Sequence, residues 1–283
     1  MLMIEWKDID SLIQGALGED VGDQGDITTD AIVPADLRGV GELVAKANGV
    51  IAGLPVFQRV YEKIDSGVTC HFHVDEGQKI DEETVLGHVS GSMNTLLKGE
   101  RVALNFLQRC SGIATKTDRF VEAVQGTKVK ILDTRKTTPR LRGLEKYAVR
   151  QGGGVNHRFG LYDMIMIKDN HIAAAGSISI AVKRCLSWLE ERQRDVKIEV
   201  ETKTLEEVRE AMEFPVHRIM LDNMPVALMK QAVTEIGERI EVEASGNITL
   251  DNVRSVAETG VDFISIGSLT HSVTALDISF LIR

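Results

Sequence analysis

The sequence predicts an α/β protein in two parts, a small β-rich N-terminal portion and a larger portion of alternating strands and helices. Three observations carry this. Residues 1 to about 112 hold short β-like runs broken by Gly, Asp and Ser, the texture of a small sheet. From about 128 onward, short apolar runs each end in a polar or charged group: "KILDT", "MIMIKDN", "KIEVET", "RIMLDN", "IEVEASG" and "FISIGS". The last four begin at about 197, 218, 240 and 263, with helix-like stretches between them, which is the rhythm of parallel βαβ units.

Taken in order, "ELVAKANGVIAGL", "VTCHFHVDEGQKI" and "TVLGHVSG" supply the N-terminal strands. "NTLLKGERVALNFLQRCSGIA" follows, with Val102, Phe106, Cys110 and Ile113 at helical spacing. It predicts an amphipathic helix of about five turns, with Arg101, Asn105, Gln108 and Arg109 off the apolar stripe. The later runs lack polar alternation, which suits strands buried on both faces. Between them, "TLEEVREAME", "VALMKQAVTEIG" and "TLDNVRSVAETG" read as crossover helices. About six βα units, or seven with a less obvious strand, favour a closed or nearly closed barrel. The pattern alone also admits a doubly wound open sheet.

The chain has 283 residues, 43% apolar and 27% charged, with a formal net charge of −9. That is ordinary globular composition with length enough for a large core. An acidic balance argues against nucleic acid or a membrane surface as a partner, since both need a broad basic face. Cys70, Cys110 and Cys185 are odd in number and far apart, so they read as reduced thiols. "MLMIEWKDID" turns acidic before an apolar leader could form. No apolar run approaches the roughly 18 residues of a membrane span. The expectation is a cytoplasmic protein.

In α/β barrels the active site lies at the carboxyl ends of the strands. Those ends carry Asp133, Arg135 and Lys136; Lys168, Asp169 and Asn170; Glu199 and Glu201; Asp222 and Asn223; Glu243, Ser245, Gly246 and Asn247; and Gly267 and Ser268. Cations there would grip an anionic substrate, while carboxylates would hold a divalent metal that neutralises polyphosphate. "ASGNITLDN" and "IGSLTHS" each set small residues before an expected helix, a phosphate-binding arrangement as well as an ordinary strand end.

"DTRKTTPRLR" packs Arg135, Lys136, Arg140 and Arg142 together. Pro139 suits a first helical position with Thr138 as its cap, and "GGG" at 152–154 stops that helix. Cations around a helix N-terminus oppose its dipole unless an anion is bound. His157 and Arg158 in "GGGVNHR" add to that positive cluster. His71 and His73 flank Phe72 and would share one strand face, yet no third ligand is near in sequence, so they read as surface or structural histidines. Lys168 admits a Schiff-base role, but the neighbouring cations make an anion contact the simpler reading.

These motifs, "LDTRKTTP", "EKYAVRQGGGVNHR", "IKDNHI", "LDN", "EASGNI" and "IGSLTHS", run in an order that resembles the quinolinate phosphoribosyltransferase family (nicotinate-nucleotide pyrophosphorylase, carboxylating). "EDVGDQGDITTDAIVP" and "GERVALNFLQRCSGIAT" extend the resemblance over essentially the whole chain. It implies an N-terminal α/β sandwich, residues 1–112 joined by the tail 273–283. An incomplete α/β barrel of six or seven strands, residues 113–272, would follow. It also implies a homodimer or higher assembly and magnesium, with no organic cofactor. The implied reaction converts quinolinate and phosphoribosyl pyrophosphate to nicotinate mononucleotide, pyrophosphate and carbon dioxide, within NAD biosynthesis.

By the same resemblance, Arg135, His157 and Arg158 match positions that hold the two quinolinate carboxylates. Lys136 and Lys168 match lysines at the junction of the two substrates, and Arg101 matches an arginine donated by the neighbouring subunit. Glu201 and Asp222 match acids facing the ribose hydroxyls and magnesium. Ser245, Gly246, Asn247, Gly267, Ser268 and His271 match the phosphate loops. The family's usual "TTPGLR" has glycine where this chain has Arg140, an exchange a first helical turn would tolerate. The competing readings are the molybdenum-transport-associated relative of the family, with another acceptor, a Schiff-base barrel lyase, and a non-catalytic phosphate-binding protein.

Overall fold

The elements follow one another with few long gaps, in a computed structural model that describes residues 6–283. The reading of "MLMIEWKDID" falls partly on residues 1–5, outside the described residues. The chain begins with α1 (Trp6–Val21), α2 (Ile27–Ile32), β1 (Arg38–Ala45), β2 (Gly49–Val50), α3 (Leu54–Ile64), β3 (Thr69–Phe72), β4 (Lys79–Ile80) and β5 (Val85–Ser92). Next come α4 (Met93–Ala123), β6 (Lys130–Leu132), α5 (Arg142–Gln151), β7 (Ile165–Ile167), α6 (Asp169–Ala175) and α7 (Ile178–Glu191). It closes with β8 (Ile198–Thr202), α8 (Leu205–Met212), β9 (Arg218–Asp222), α9 (Val226–Ile236), β10 (Glu241–Ser245), α10 (Val253–Ala257), β11 (Phe263–Ser265), α11 (Ser268–His271) and β12 (Ile278–Ile282).

Two units divide the chain. The first holds Met1–Asp118, Thr137–Gly153 and Leu269–Arg283; the second holds Arg119–Lys136 and Gly154–Ser268. The division expected from sequence differs from this one at 113–118, 137–153 and 269–272.

In the first unit a four-stranded antiparallel sheet runs in the order β12-β1-β5-β3. Its outer strand is the C-terminal tail, which pairs Ala45 with Ile278 and Gly41 with Ile282. Helix α3 starts where Gly53 adopts φ 107°, a left-handed conformation glycine reaches without strain. The Glu76 carboxylate then accepts the Gly53 and Leu54 backbone N–H groups at 2.9 and 2.6 Å, capping the helix from outside. The apolar face of α3 buries Phe57, Val60 and Tyr61 completely. Each such side chain contributes about 1.5–3 kcal/mol relative to exposure. Helix α4 is 31 residues long, well beyond the five turns expected. Of its predicted stripe Val102, Cys110 and Ile113 are buried, Phe106 is half-buried, and Leu104 and Leu107 complete the seam.

In the second unit six parallel strands run in the order β6-β11-β10-β9-β8-β7. Each of the apolar runs read from the sequence is one of these strands. The two edge strands, β6 and β7, are the first two of this sheet in chain order and do not pair with each other, which leaves the α/β barrel incomplete. Strand β8 is buried at every position, as expected of a strand covered on both faces. Helices α7 and α8 start on side-chain caps, Ser177 and Thr204, whereas α9 and α10 have none. The Thr204 hydroxyl, for instance, accepts from Glu207 N at 3.2 Å, with Glu206 and Glu207 in the first turn of α8.

Among the described residues no single helix is long and apolar enough to cross a membrane. The pair α6 and α7 reaches that length together but is bent by 89°.

Candidate active site

The parallel strands of the second unit set its functional side chains side by side. Register pairs Glu199 with Arg218, Arg218 with Glu241, and Asp222 with Ser245. Glu199, Arg218 and Glu241 therefore form one layer, and nearer the carboxyl ends Glu201 stands opposite Met220 while Asp222 stands opposite Ser245.

Beneath them lies a buried charge cluster. His157 Nε2 is 3.0 Å from Glu199 Oε2 and 3.4 Å from Glu243 Oε2. Arg218 Nη1 donates to Glu243 at 3.0 Å, Nη2 to Glu241 at 3.1 Å, and its guanidinium lies 4.0 Å from the Phe263 ring centre. Burial disfavours a charged imidazole, but hydrogen bonds and charges from Glu199 and Glu243 outweigh it and push His157 up to about 9. Burial and the Glu243 charge raise Glu199, while His157 and Arg218 hold Glu243 low against its own burial. His157, Glu199 and Glu243 also have the spacing of a metal triad. With Arg218 already on Glu243 and Glu241, three carboxylates meet Arg218 and His157 in one ion-pair network.

Asp133, fully buried at the end of β6, anchors the segment that carries His157. Its Oδ1 accepts His157 N at 2.9 Å, and Oδ2 accepts Asn156 Nδ2 at 2.5 Å. Val155 bridges to Leu132 in parallel, so "VNHR" lies along the exposed edge of β6. Arg158 follows, its Nη1 donating to Met164 O at 3.0 Å. Burial and the charge of Arg135 both lower the Arg158 pKa. The positive charge of Arg135 thus acts on Arg158, an arrangement that an anion would relieve.

Lys168, just before α6, donates to Glu201 Oε2 at 3.0 Å, and its own N–H is accepted by His171 Nδ1. Its side chain is 43% exposed, unlike the desolvated lysine a Schiff base requires. The turns after β9 and β10 meet on positive φ angles: Asn223 at 54° after β9, Gly246 at 94° and Asn247 at 52° after β10. Asn247 Nδ2 donates to Asn223 Oδ1 at 2.9 Å, and Asn223 N to Ser245 O at 2.8 Å. A Cβ on Gly246 would collide with the Asn223 side chain. Gly246 therefore does more than end a strand. The following helix, α10, starts only at Val253, later than expected, whereas α11 does begin at Ser268.

The second unit carries all the expected site residues except Arg101 and His271, which belong to the first. Arg101 is exposed on α4, 3.7 Å from Glu100. His271 ends α11, its Nδ1 2.7 Å from Ser272 Oγ. The "TTPR" loop corrects the sequence reading. Helix α5 starts at Arg142, with Leu141 as its N-cap, so Pro139 is not its first residue and Thr138 is not its cap. Thr138 is tied down otherwise: its N–H donates to Glu145 Oε2 at 3.1 Å, and its hydroxyl accepts from Arg109 at 2.7 Å. Arg109 Nε in turn donates to Glu145 at 3.1 Å, and Arg142 Nε to Thr137 Oγ1 at 3.1 Å. Arg140 has φ 67°, not the helical value that would have tolerated the exchange from glycine. The helix does end where expected, with Gly152 as its C-cap.

Sequence reasoning missed the positioning roles of Asp133, Glu199, Arg218 and Glu243. The available signal was charge recurring every second residue in "EVET" and "EVEAS", unusual for strands buried on both faces.

Fold and site together define an α/β-barrel protein with cations and carboxylates gathered at its strand ends. The family model for the quinolinate phosphoribosyl transferase C-terminal domain matches residues 113–281, and that for the N-terminal domain matches residues 26–111. The chain is 43% identical to quinolinate phosphoribosyltransferase [decarboxylating] 2, mitochondrial, of Nicotiana glauca, over 96% of this chain and 81% of that protein. A probable nicotinate-nucleotide pyrophosphorylase [carboxylating] of Synechocystis is 46% identical, over 97% and 92% of the two chains. The crystal structure of NadC from Streptococcus pyogenes superposes with a TM-score of 0.93 at 43% identity, covering 98% of this chain and 97% of that one. The chain belongs to the quinolinate phosphoribosyltransferase family.

Proposed function

We propose that the protein is a decarboxylating quinolinate phosphoribosyltransferase. It converts quinolinate and phosphoribosyl pyrophosphate to nicotinate mononucleotide, pyrophosphate and carbon dioxide, a step of pyridine nucleotide synthesis. The observation that carries this is the pinning of the "VNHR" segment to the end of β6 through Asp133 and Val155, which brings the Arg158 guanidinium to the strand end that carries Arg135, two cations suited to a dicarboxylate. Family membership supports the named substrates.

In this reading Arg135 and Arg158 grip the quinolinate carboxylates and aim the pyridine nitrogen at the ribose C1. His157, expected from the sequence to share that grip, is buried with Nε2 against Glu199 and Glu243 and Nδ1 2.7 Å from the Arg158 backbone nitrogen, so it positions Arg158 instead. Lys136 and Lys168 sit where the two substrates meet. Glu201 and Asp222 face the ribose hydroxyls, and Ser245, Gly246, Asn247, Gly267, Ser268 and His271 take the phosphates. The nitrogen attacks C1 as the bond to pyrophosphate breaks, so positioning and electrostatics do most of the catalysis. The pyridinium then accepts the electrons of the breaking bond to the 2-carboxylate. Carbon dioxide departs, the ring carbon takes a proton, and no organic cofactor is required. Nicotinate lacks the 2-carboxylate and would leave buried cations unpaired.

Glu201, Asp222 and Ser245 present the hard oxygen donors magnesium prefers, so these residues fit a magnesium ion brought with phosphoribosyl pyrophosphate. Bound there, it would neutralise charge on the departing pyrophosphate. The protein works as a homodimer or larger assembly, with Arg101 reaching the neighbouring subunit's site. Its exposure on α4 is consistent with that role.

The test is direct. Protein, magnesium, phosphoribosyl pyrophosphate and 2-carboxyl-labelled quinolinate should release label and form nicotinate mononucleotide, while nicotinate should give none. No product from folded protein would overturn the proposal.

A further inference from the structure

We infer that the sheet of the first unit carries a second metal site, for a borderline divalent ion such as zinc, cobalt or nickel, built on His71, His73 and His88. His71 lies in β3 and His73 just past its end, its N–H donating to Leu86 O at 2.9 Å. The sequence placed both on one face of an expected strand but offered no third ligand nearby. Sheet pairing supplies it: His71 lies directly opposite His88 on β5, and His88 directly opposite Glu42 on β1. Directly paired residues project to the same face, so the three imidazoles and the carboxylate stand together.

The rings are close. His73 Nε2 and His88 Nδ1 are 3.0 Å apart, and their ring centres are separated by 5.1 Å; those of His71 and His73 are separated by 5.0 Å. Two imidazole nitrogens at that distance must share one proton. A metal can take the proton's place, because ligand atoms of a tetrahedral ion at metal–nitrogen distances of about 2.0–2.1 Å lie about 3.3 Å apart. His71 and His73 are exposed and His88 half-exposed, so rotating the rings until their lone pairs converge meets little packing.

The far side of His88 has the support metal-binding histidines use. Its Nε2 is 3.4 Å from Glu42 Oε2, and Glu42 is held in turn by Arg283 Nη2 at 2.7 Å. A carboxylate on the second nitrogen fixes the tautomer and ring orientation of a ligating histidine. Three nitrogen donors select borderline transition ions and reject magnesium, which takes oxygen ligands. The ion would pin the edge strand β3 to β5, and the open face leaves a fourth position for water.

The experiment uses untagged, chelator-stripped protein titrated with zinc by calorimetry, and with cobalt by visible absorption. One equivalent should bind with a micromolar or tighter dissociation constant, give tetrahedral cobalt bands, and raise the melting temperature. His73→Gln with His88→Gln should weaken binding by about a hundredfold or more, and Glu42→Gln by about ten- to a hundredfold. His157→Gln, in the other unit, should leave it intact. Absence of zinc binding would overturn the inference. So would equal binding by the double variant with unchanged far-ultraviolet dichroism, since the ion would then lie elsewhere.

Discussion

Asp133 Oδ1 accepts the backbone N–H of His157 at 2.9 Å, joining the end of β6 to the segment that carries the anion pocket. The carboxylate is fully buried and acts through the backbone. Asp133→Ala should therefore raise the quinolinate Michaelis constant more than it lowers the turnover number. It should also cost on the order of 1–3 kcal/mol of stability, as for other orphaned buried donors. Steady-state kinetics and urea unfolding measure both, and unchanged quinolinate kinetics would remove the positioning role.

Gly246 at φ 94° beside Asn223 leaves no room for a side chain. Gly246→Ala forces the loop after β10 to move, at about 1–3 kcal/mol for the backbone alone. Apparent affinity for phosphoribosyl pyrophosphate should fall at least tenfold, with quinolinate binding to the free protein retained. Equal losses for both ligands would point to general unfolding instead.

Arg140 occupies the left-handed region at φ 67°. Arg140→Gly relieves that strain and should stabilise the protein by about 1 kcal/mol, with activity unchanged. Thermal unfolding decides it; a lower melting temperature would mean that the arginine's 3.4 Å contact to Ser11 outweighs the strain.

His157, raised to about 9 by its two glutamates, gives a pH signature with a fixed sign. Its stabilisation is complete below the ordinary histidine value near 6.5 and is lost as pH rises through about 9. Wild type should lose up to about 3 kcal/mol over that window relative to His157→Gln. Urea midpoints at pH 6.5 and 9.5 give the comparison, and parallel pH profiles would rule the network out.

Arg101→Ala and Arg158→Ala proteins, each nearly inactive, should regain about a quarter of wild-type activity when refolded together. In a two-fold dimer, half the molecules would be mixed and each would keep one intact site. Failure to recover, with mixed dimers demonstrated by mass, would confine Arg101 to its own subunit.

Much of the fold was legible because parallel strands buried on both faces leave unmistakable runs such as "KIEVET" and "RIMLDN". The polar residue closing each run located the site, since strand ends are where such barrels place it. What stayed hidden depended on long-range geometry. Thr138 resembles a cap by composition, but Arg109 and Glu145 claim it from two helices. Arg140 resembles a first-turn residue until its φ is known. Glu199 and Glu243 become partners of His157 only through strand register, and His88 joins His71 and His73 only through sheet pairing.

The outer strand of the first sheet bears on how the chain comes into being. Strand β1 takes as one neighbour β12, made after every other strand of both sheets. On a ribosome the residues of the parallel sheet all emerge before that neighbour exists, so the later-coded unit can fold while the earlier-coded one waits with an open edge. Exposed edges invite other chains. The interval before β12 emerges is therefore when a nascent copy is most vulnerable to mispairing, and removing Ile278–Ile282 should turn a transient hazard into a permanent one.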